Sequence, residues 1–203
     1  MATLVTEICN MSLGLLGANR LAFTGTTETD LDANTTLEAI QCNLHYGQTR
    51  DSLLRSHWWR FASGRATLTE AAETPDFEWD HQFILPKDFL RMKSIYENRR
   101  SNLNLDSYAL EGTMLLTNES TMSIRYIKLV ADPAEFDPLF IEVLVLLLAD
   151  KLIGPLAGGD HRIQEKIDRA LQKLMPKVRA LDRQETNTTG QYDLNTWNDS
   201  RYR

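Results

Sequence analysis

The amino-acid sequence predicts an α+β fold that is mainly α: a bundle of about four helices, an inserted small antiparallel β meander and an extended C-terminal tail. Apolar residues recur at helical spacing near both ends of the chain, short extended runs separated by turn residues fill the middle, and the last residues show no periodic apolar face. We therefore divide the chain into a helical body in two parts (1–62 and 132–185), a β-rich insert (63–131) and a tail (186–203).

The first helix is predicted over residues 3–16, because Val5, Ile8 and Leu16 share one face and Gly17 follows as a natural C-terminal stop. The polar residues that come next have no sustained period and predict a long connecting loop.

The second helix is predicted to begin at a capping box formed by Thr35 and Glu38 and to continue to about Ala62. In such a box, the hydroxyl and the carboxylate accept hydrogen bonds from the free amides of the first turn. The apolar face assigned to this helix consists of Leu37, Ile40, Leu44, Gly47, Leu54, Trp58 and Phe61.

Strands are predicted at RATLT, QFIL, LRMKSIY, SYAL, TMLLT and TMSIRYIKLV, with turns at 111–112 and 118–120. In the last of these runs, Met122, Ile124 and Tyr126 alternate with polar residues, as in a sheet with one covered face. Consecutive runs joined by short turns favour a meander.

Helical texture returns after Pro133, which is placed near a helix start, and Gly154 with Pro155 is expected to end that helix. Apolar residues surround most of its middle, so we expect it to be central. A final helix is predicted over 160–183, with a bend at Pro176. Its apolar stripe is Ile163, Ile167, Ala170, Leu174, Val178 and Leu181.

Composition narrows the classes of function. The 203-residue chain has a formal net charge of −6, which repels phosphate at long range and disfavours general DNA binding. The start, MATLVTEICN, lacks the basic region of a signal peptide, and the longest apolar run, 143–149, is too short to span a bilayer. We therefore expect a soluble, cytosol-made protein without membrane contact.

Motifs for catalysis are weak. The four histidines are scattered and match no metalloprotease, phosphate-loop or dinucleotide motif. Cys9 and Cys42 lie singly within predicted helices, so two small buried hydrophobes are favoured over a disulfide or zinc site. We expect no cofactor, no bound metal and no catalysis.

Two segments still allow chemistry. The stretch 53–65, LLRSHWWRFASGR, could stack bases on its rings and meet phosphates with its arginines. The favoured alternative places Trp58 and Phe61 in the helical core and Trp59 at the helix-to-sheet junction. The stretch 76–81, DFEWDH, could hold a divalent cation or supply paired carboxylates for glycoside hydrolysis, but a solvated loop is favoured.

The tail, QYDLNTWNDSRYR, combines aromatic side chains with a polar, aperiodic background. Either the aromatics pack on this molecule's own surface, or they wait in water until a partner buries them. The residues alone leave both interpretations open.

The chain resembles the tail tubular protein A family, the head-to-tail adaptors of short-tailed bacteriophages. The resemblance covers nearly the whole chain in one order. The matching pieces are EICNMSLGLLGANRL, RDSLLRSHWWRFASGRATL, WDHQFILPKDFLRMKSIY, LEGTMLLTNES, IRYIKLVADPAEFDPLFIEVLVLLLADKLIGPLAG and RALDRQE, before a tail ending in RY.

The resemblance implies a structural protein of the virion neck, made in the host cytoplasm. Such adaptors form a ring, expected to be dodecameric, that joins the portal protein to the tail nozzle protein and extends the channel. Double-stranded DNA would pass through it without specific binding. The resemblance also implies that the tail binds the portal, through Tyr192, Leu194, Trp197, Arg201 and Tyr202.

We therefore expect a ring-forming adaptor with an acidic or neutral lumen, because fixed cations would retard sliding DNA. Leu13 and Leu53 are candidate ring contacts, although core burial fits them equally. The alternatives are a phage cell-wall glycan hydrolase that uses carboxylates of residues 70–80, such as Glu73 and Asp76, and a monomeric nucleic-acid-binding module built on HWWR.

Overall fold

The computed structural model describes residues 4–23, 25, 27, 29–32, 34–97, 100–101 and 108–185. Its helices are α1 (Val5–Leu16), α2 (Thr29–Asp32), α3 (Leu37–Ser56), α4 (Pro138–Ala157) and α5 (His161–Glu185). Its strands are β1 (Ser63–Thr67), β2 (Thr69–Glu70), β3 (His81–Ile84), β4 (Phe89–Glu97), β5 (Arg100–Ser101), β6 (Tyr108–Glu111), β7 (Met114–Thr117) and β8 (Ser123–Lys128).

The predicted fold class is wrong in its β part and therefore as a whole. The described strands form two antiparallel sheets, a first sheet with the order β1-β8-β4-β5 and a second with the order β2-β3-β7-β6. The protein is an α+β fold, about 48% helical and 21% strand over the described residues, and not a helical bundle with a small meander. The individual runs were found correctly, but their pairing is largely non-local, since β8 lies between β1 and β4.

The chain crosses from the first sheet to the second at a single apolar residue, Leu68. Leu68 separates β1 from β2, and its amide donates to the carbonyl of Met122 at 2.8 Å, just before β8 begins. The sheets enclose a hydrophobic core of their own, formed by Leu68, Phe83, Leu85, Ile95, Leu115, Met122, Ile124 and Tyr126. The predicted alternation in β8 is confirmed, because its Ile124 and Tyr126 are buried in this core.

Tyr126 also holds the link that follows β3. Its hydroxyl donates to a carboxylate oxygen of Asp88 at 3.0 Å. Burial of the ring, together with the hydrogen bond to Asp88 and its negative charge, raises the pKa of Tyr126 to about 12.

Helix α4 is the centre of the helical body, as predicted. Helices α1, α3 and α5 all pack against it. Its Phe140, Val143, Leu144 and Leu148 are fully buried. The hydroxyl of Ser12 on α1 donates to the carbonyl of Val145 at 3.0 Å, which fits a close approach of α1 to α4.

The ends of α4 differ from the prediction. Pro133 starts a 3₁₀ turn, Pro133–Glu135, whereas α4 itself starts at Pro138. Asp137 caps that start by accepting a hydrogen bond from the amide of Leu139 at 2.8 Å. At the other end Pro155 lies inside the helix, and Gly158, with φ of 60°, is the C-cap. The Gly-Pro pair therefore does not end the helix.

Helix α3 ends at Ser56 and not near Ala62. The indole Nε1 of Trp59 donates to the carbonyl of Leu53 at 2.9 Å, and a guanidinium nitrogen of Arg91 on β4 donates to the carbonyl of Arg55 at 3.1 Å. Two carbonyls of the last turn thus accept hydrogen bonds from side chains, in place of the backbone amides that a continuing helix would supply.

The apolar face assigned to α3 is also wrong. Leu37, Ile40 and Leu44 are 56%, 50% and 64% exposed. The residues that α3 buries against the body are Ala39, Cys42, Tyr46, Thr49, Arg50, Leu53 and Leu54. Leu54 is thus shared by the predicted and the observed face.

The remaining helices follow the sequence more closely. Every position predicted for the buried face of α1 is buried, and Gly17 at its C-cap has φ of 69°. The stripe of α5 is at least partly buried as far as Val178, whereas Leu181 is exposed. Helix α5 runs through Pro176 without a break in its assignment.

Candidate docking surfaces

The carboxylates between β2 and β3 lie on one exposed loop, which we call the acidic loop (residues 71–80). It carries Glu73, Asp76, Glu78 and Asp80 and contains no Lys or Arg. Each of these four side chains is exposed. Its ends are tied down, because Gln82 Nε2 donates to the carbonyl of Glu73 at 2.6 Å and the amide of Asp80 donates to Asn118 at 3.0 Å.

The exposure of these carboxylates argues against the alternative of a glycan hydrolase. Glu70 lies in β2 and pairs with the Nδ1 of His81 at 2.6 Å. A glycosidase needs one carboxyl group kept protonated by a sheltered setting, and the acidic loop presents all of its carboxylates to solvent.

The tip of the acidic loop is a strained turn. Glu78 has φ of 68°, and it is the only described non-glycine residue with a positive φ. The amide of Trp79 donates to the carbonyl of Phe77 at 2.9 Å, which closes a γ-turn around Glu78. Phe77 is 76% exposed, between the carboxylates of Asp76 and Glu78. The turn therefore holds an aromatic ring in water between two negative charges.

A basic cleft lies on the first sheet, beside the end of α3. A cavity of about 200 Å³ is lined by Arg60, Ser63, Arg65, Lys93 and Arg125. Arg65 and Arg125 face each other across the β1–β8 pair. Within the described part of the chain, no carboxylate forms an ion pair with Arg65, Lys93 or Arg125. Cations are therefore concentrated here in a chain that is acidic overall.

The basic cleft continues into a larger, less polar cavity of about 420 Å³. Its lining residues are Arg65, Ala66, Thr67, Tyr96, Ser123, Ile124 and Arg125. Arg65 and Arg125 line both cavities and thus stand at their common border. This second cavity falls in the size range of pockets that hold small ligands, so it has room for an aromatic side chain.

The HWWR stretch does not present a stacking platform. Trp59 is 3% exposed and packs edge-on against Phe140, with ring centroids 5.0 Å apart. The Trp58 ring is covered by cations from β4, with Arg91 Cζ at 4.2 Å and Lys93 Nζ at 5.6 Å from its centroid. The favoured interpretation is only partly right. Trp58 and Phe61 are partly buried against the helical core, whereas Trp59, which was expected at the helix-to-sheet junction, is itself a buried member of that core.

A third surface lies on the helical body, and we call it the apolar row. It consists of Met11, Leu15, Leu37, Ile40 and Leu44, each of them exposed. The two helices that carry it, α1 and α3, are joined where one ends and the other begins, because Asn19 Nδ2 donates to Glu38 at 3.0 Å. Single exposed apolar residues are ordinary, but Met11 and Leu15 repeat at helical spacing on α1, and Leu37, Ile40 and Leu44 do so on α3. We therefore treat the apolar row as a candidate interaction surface.

Other sequence-based predictions have different outcomes. Leu13 and Leu53 are buried in the helical core and are not available for ring contacts. Cys9 and Cys42 are buried, as expected. The predicted portal-binding residues of the tail, Tyr192, Leu194, Trp197, Arg201 and Tyr202, lie outside the described residues.

The described residues contain no group of three or more His, Cys, Asp or Glu placed to hold a metal ion. Among the helices of the same residues, none combines the length and apolar character that crossing a membrane requires.

Comparison of the chain with protein-family models and with curated proteins finds no match.

Sequence reasoning found the acidic loop and missed the basic cleft and the apolar row. Arg60 and Arg65 were visible as a local cluster, but Lys93 and Arg125 join them only through strand pairing. The apolar row was visible as periodic Leu and Ile, and the same periodicity led to its assignment to the core.

Proposed function

We propose that this protein is a structural head-to-tail adaptor of a short-tailed phage, which acts by assembly and not by catalysis. In this proposal it forms a ring between the portal protein and the tail nozzle protein, and DNA passes through the ring without specific binding. The proposal rests on the sequence resemblance and on surfaces that suit assembly.

The observation that carries the proposal is the apolar row. Its five side chains are each between 44% and 64% exposed. Burying one large apolar side chain stabilises a complex by roughly 1.5–3 kcal/mol before the costs of association are subtracted. A chain that works alone gains nothing from leaving this surface in water. We assign the portal protein to the apolar row, as a face that supplements the tail.

Substitution of the apolar row tests this assignment. The double variant Leu37→Gln, Leu44→Gln should weaken binding to purified portal protein by more than tenfold, since two apolar anchors are lost. The matched control is Gln164→Ala, because Gln164 is exposed on a different helix, α5. Folding should persist in both proteins, since all three side chains lie outside the core.

The readout is native mass spectrometry of the chain alone and with portal protein. A multi-subunit assembly on the portal protein would support the adaptor proposal. A chain that stays monomeric and does not bind the portal protein would contradict it. Release of sugar fragments from purified peptidoglycan, lost in Glu73→Gln with Asp76→Asn, would favour the glycan hydrolase instead.

A further inference from the structure

From the charges and shapes of two surfaces we infer that copies of this chain join head to tail, the acidic loop of one copy entering the basic cleft of the next. Phe77 enters the larger cavity beside Thr67, Tyr96 and Ser123, while Asp76 and Glu78 meet the arginines at its border. The inference rests on the proposed function for the ring, and names the contact that builds it.

Charge complementarity is the first argument. Two carboxylates flank Phe77, and two guanidinium groups, of Arg65 and Arg125, line the cavity that would receive it. Among the described side chains, the loop carboxylates are exposed and no carboxylate forms an ion pair with either arginine. Arginine binds carboxylates through a planar fork of donors, which suits paired recognition at an interface.

The strained turn is the second argument. A positive φ at a glutamate is unfavourable, and such strain persists where the surrounding structure or a function maintains it. Here the residue that precedes the strained position is Phe77, whose side chain is 76% exposed. An aromatic ring held in advance loses little entropy on binding, as expected of an interface anchor.

The third argument concerns geometry. The acidic loop joins strands of the second sheet, whereas the basic cleft lies on the first sheet. When the loop of one copy fills the cleft of another, each end copy keeps one surface unused. Such a contact repeats with a fixed rotation and closes into a ring if the rotation allows it.

Charge reversal tests the contact on the full chain. The variant Asp76→Lys, Glu78→Lys and the variant Arg65→Glu, Arg125→Glu should each weaken self-association at least about tenfold, because like charges then meet. A chain with all four substitutions should recover most of it. Matched controls are Glu142→Lys and Lys173→Glu, whose side chains are exposed on α4 and α5. Sedimentation velocity measures association, and thermal unfolding confirms that each variant folds.

Cross-linking gives a second readout that does not need a strong contact. Protein with Phe77→Cys is mixed with protein carrying Thr67→Cys, whose side chain lines the larger cavity. A short bismaleimide should join the two at several times the yield found for Phe77→Cys with Lys173→Cys. The native Cys9 and Cys42 are buried and leave the engineered thiols as the reactive ones.

The outcomes separate this inference from the proposed function. If reversed variants assemble on portal protein as well as the unmodified chain, and no specific cross-link forms, the loop–cleft contact is wrong and the adaptor proposal stands. If the specific cross-link forms but portal protein is never bound, the contact stands and the adaptor proposal fails. If a short DNA duplex suppresses the cross-link and binds through Arg65 and Arg125, the occupant is nucleic acid and the inference is overturned.

Discussion

The γ-turn at Glu78 holds Phe77 in solvent at a cost to the stability of the isolated chain. A side chain at φ of 68° is crowded by its own backbone, and residues in such sparsely populated regions cost about 1–3 kcal/mol each. Glycine adopts the same angle without that crowding. Glu78 therefore lowers the stability of the monomer, and we attribute its presence to the exposed position that the turn gives Phe77.

Glu78→Gly should consequently raise the free energy of unfolding by about 1 kcal/mol, the relief of strain less the extra entropy of glycine in the unfolded chain. Self-association should weaken in the same variant, because a carboxylate is lost and Phe77 is held less firmly. Urea unfolding and sedimentation velocity measure the two effects. A matched change at an exposed alanine of the same loop, Ala72→Gly, should give no gain in stability. A loss of stability in Glu78→Gly would contradict the strain.

Tyr126 makes stability depend on pH. Its pKa is raised from 10.0 to about 12 on folding, so the unfolded chain releases the phenol proton first as pH rises. The stabilisation is therefore complete below pH 10 and is lost as pH rises from about 10 to about 12. With about 1.4 kcal/mol per pKa unit, the loss is on the order of 3 kcal/mol.

Tyr126→Phe should remove this part of the pH dependence. At pH 8 its free energy of unfolding should be lower than that of the unmodified chain by about 1 kcal/mol, since the hydrogen bond to Asp88 is lost. Between pH 10 and pH 12 the order should reverse, because only the unmodified chain loses the stabilisation from Tyr126. Urea unfolding at several pH values gives the comparison. Tyr108→Phe, at an exposed position, is the control and should leave the pH profile unchanged. If the free energy of unfolding changed with pH in the same way for Tyr126→Phe and for the unmodified chain, Tyr126 would not be the source of this pH dependence.

At the level of helices and strands, the local sequence pattern predicted which elements form better than it predicted which strands pair with each other. All six predicted extended runs contain strands, because alternation and turn residues act within a few positions. The pairing of β8 between β1 and β4 depends on residues far apart in sequence, so a meander of consecutive strands was the wrong expectation. The basic cleft depends on that pairing, since Arg65 meets Arg125 across it.

Helix α3 shows why periodicity can select the wrong face. The row Leu37, Ile40, Leu44 and the observed buried set both follow helical spacing, and the first is the more apolar. The side that is buried instead combines small and large residues, such as Ala39, Cys42 and Tyr46. Sequence-based hydrophobicity therefore assigned an exposed face to the core.

The start of α3 gives a direct test of one predicted boundary. The sequence placed the cap at Thr35, but Thr36 is the N-cap, and its hydroxyl accepts from the amide of Ala39 at 3.3 Å. Thr36→Ala should therefore lower the free energy of unfolding by about 1 kcal/mol, whereas Thr35→Ala should change it by less than about 0.5 kcal/mol. Urea unfolding of the two variants decides between the caps, and an equal or reversed order would restore the predicted capping box.

For the whole chain, net charge and local charge oppose each other. Two copies with a formal charge of −6 each repel at long range, while the acidic loop and the basic cleft attract on contact. Covering the cleft with the neighbour's carboxylates also neutralises its cations. An assembled ring built this way would present few uncompensated cations to passing DNA, which agrees with the expectation of an acidic or neutral lumen.

The balance of these two terms predicts an optimum of self-association at intermediate salt. The centres of two such chains are on the order of 40 Å apart, so at 10 mM salt, with a Debye length of about 30 Å, repulsion still costs on the order of 1 kcal/mol. At 100 mM it is almost fully screened, and association should strengthen several-fold. Above that, the contact pairs themselves weaken, by about 0.2–1 kcal/mol each.

Sedimentation velocity from 10 mM to 1 M sodium chloride tests this optimum. The variant Arg65→Glu, Arg125→Glu should show only the rise, because it has no attractive pairs left for salt to weaken. Portal attachment through the apolar row should not decline at high salt, since burial of apolar surface does not depend on screening. A monotonic weakening of self-association of the unmodified chain from 10 mM upward would mean that the contact attraction exceeds the net repulsion at every ionic strength.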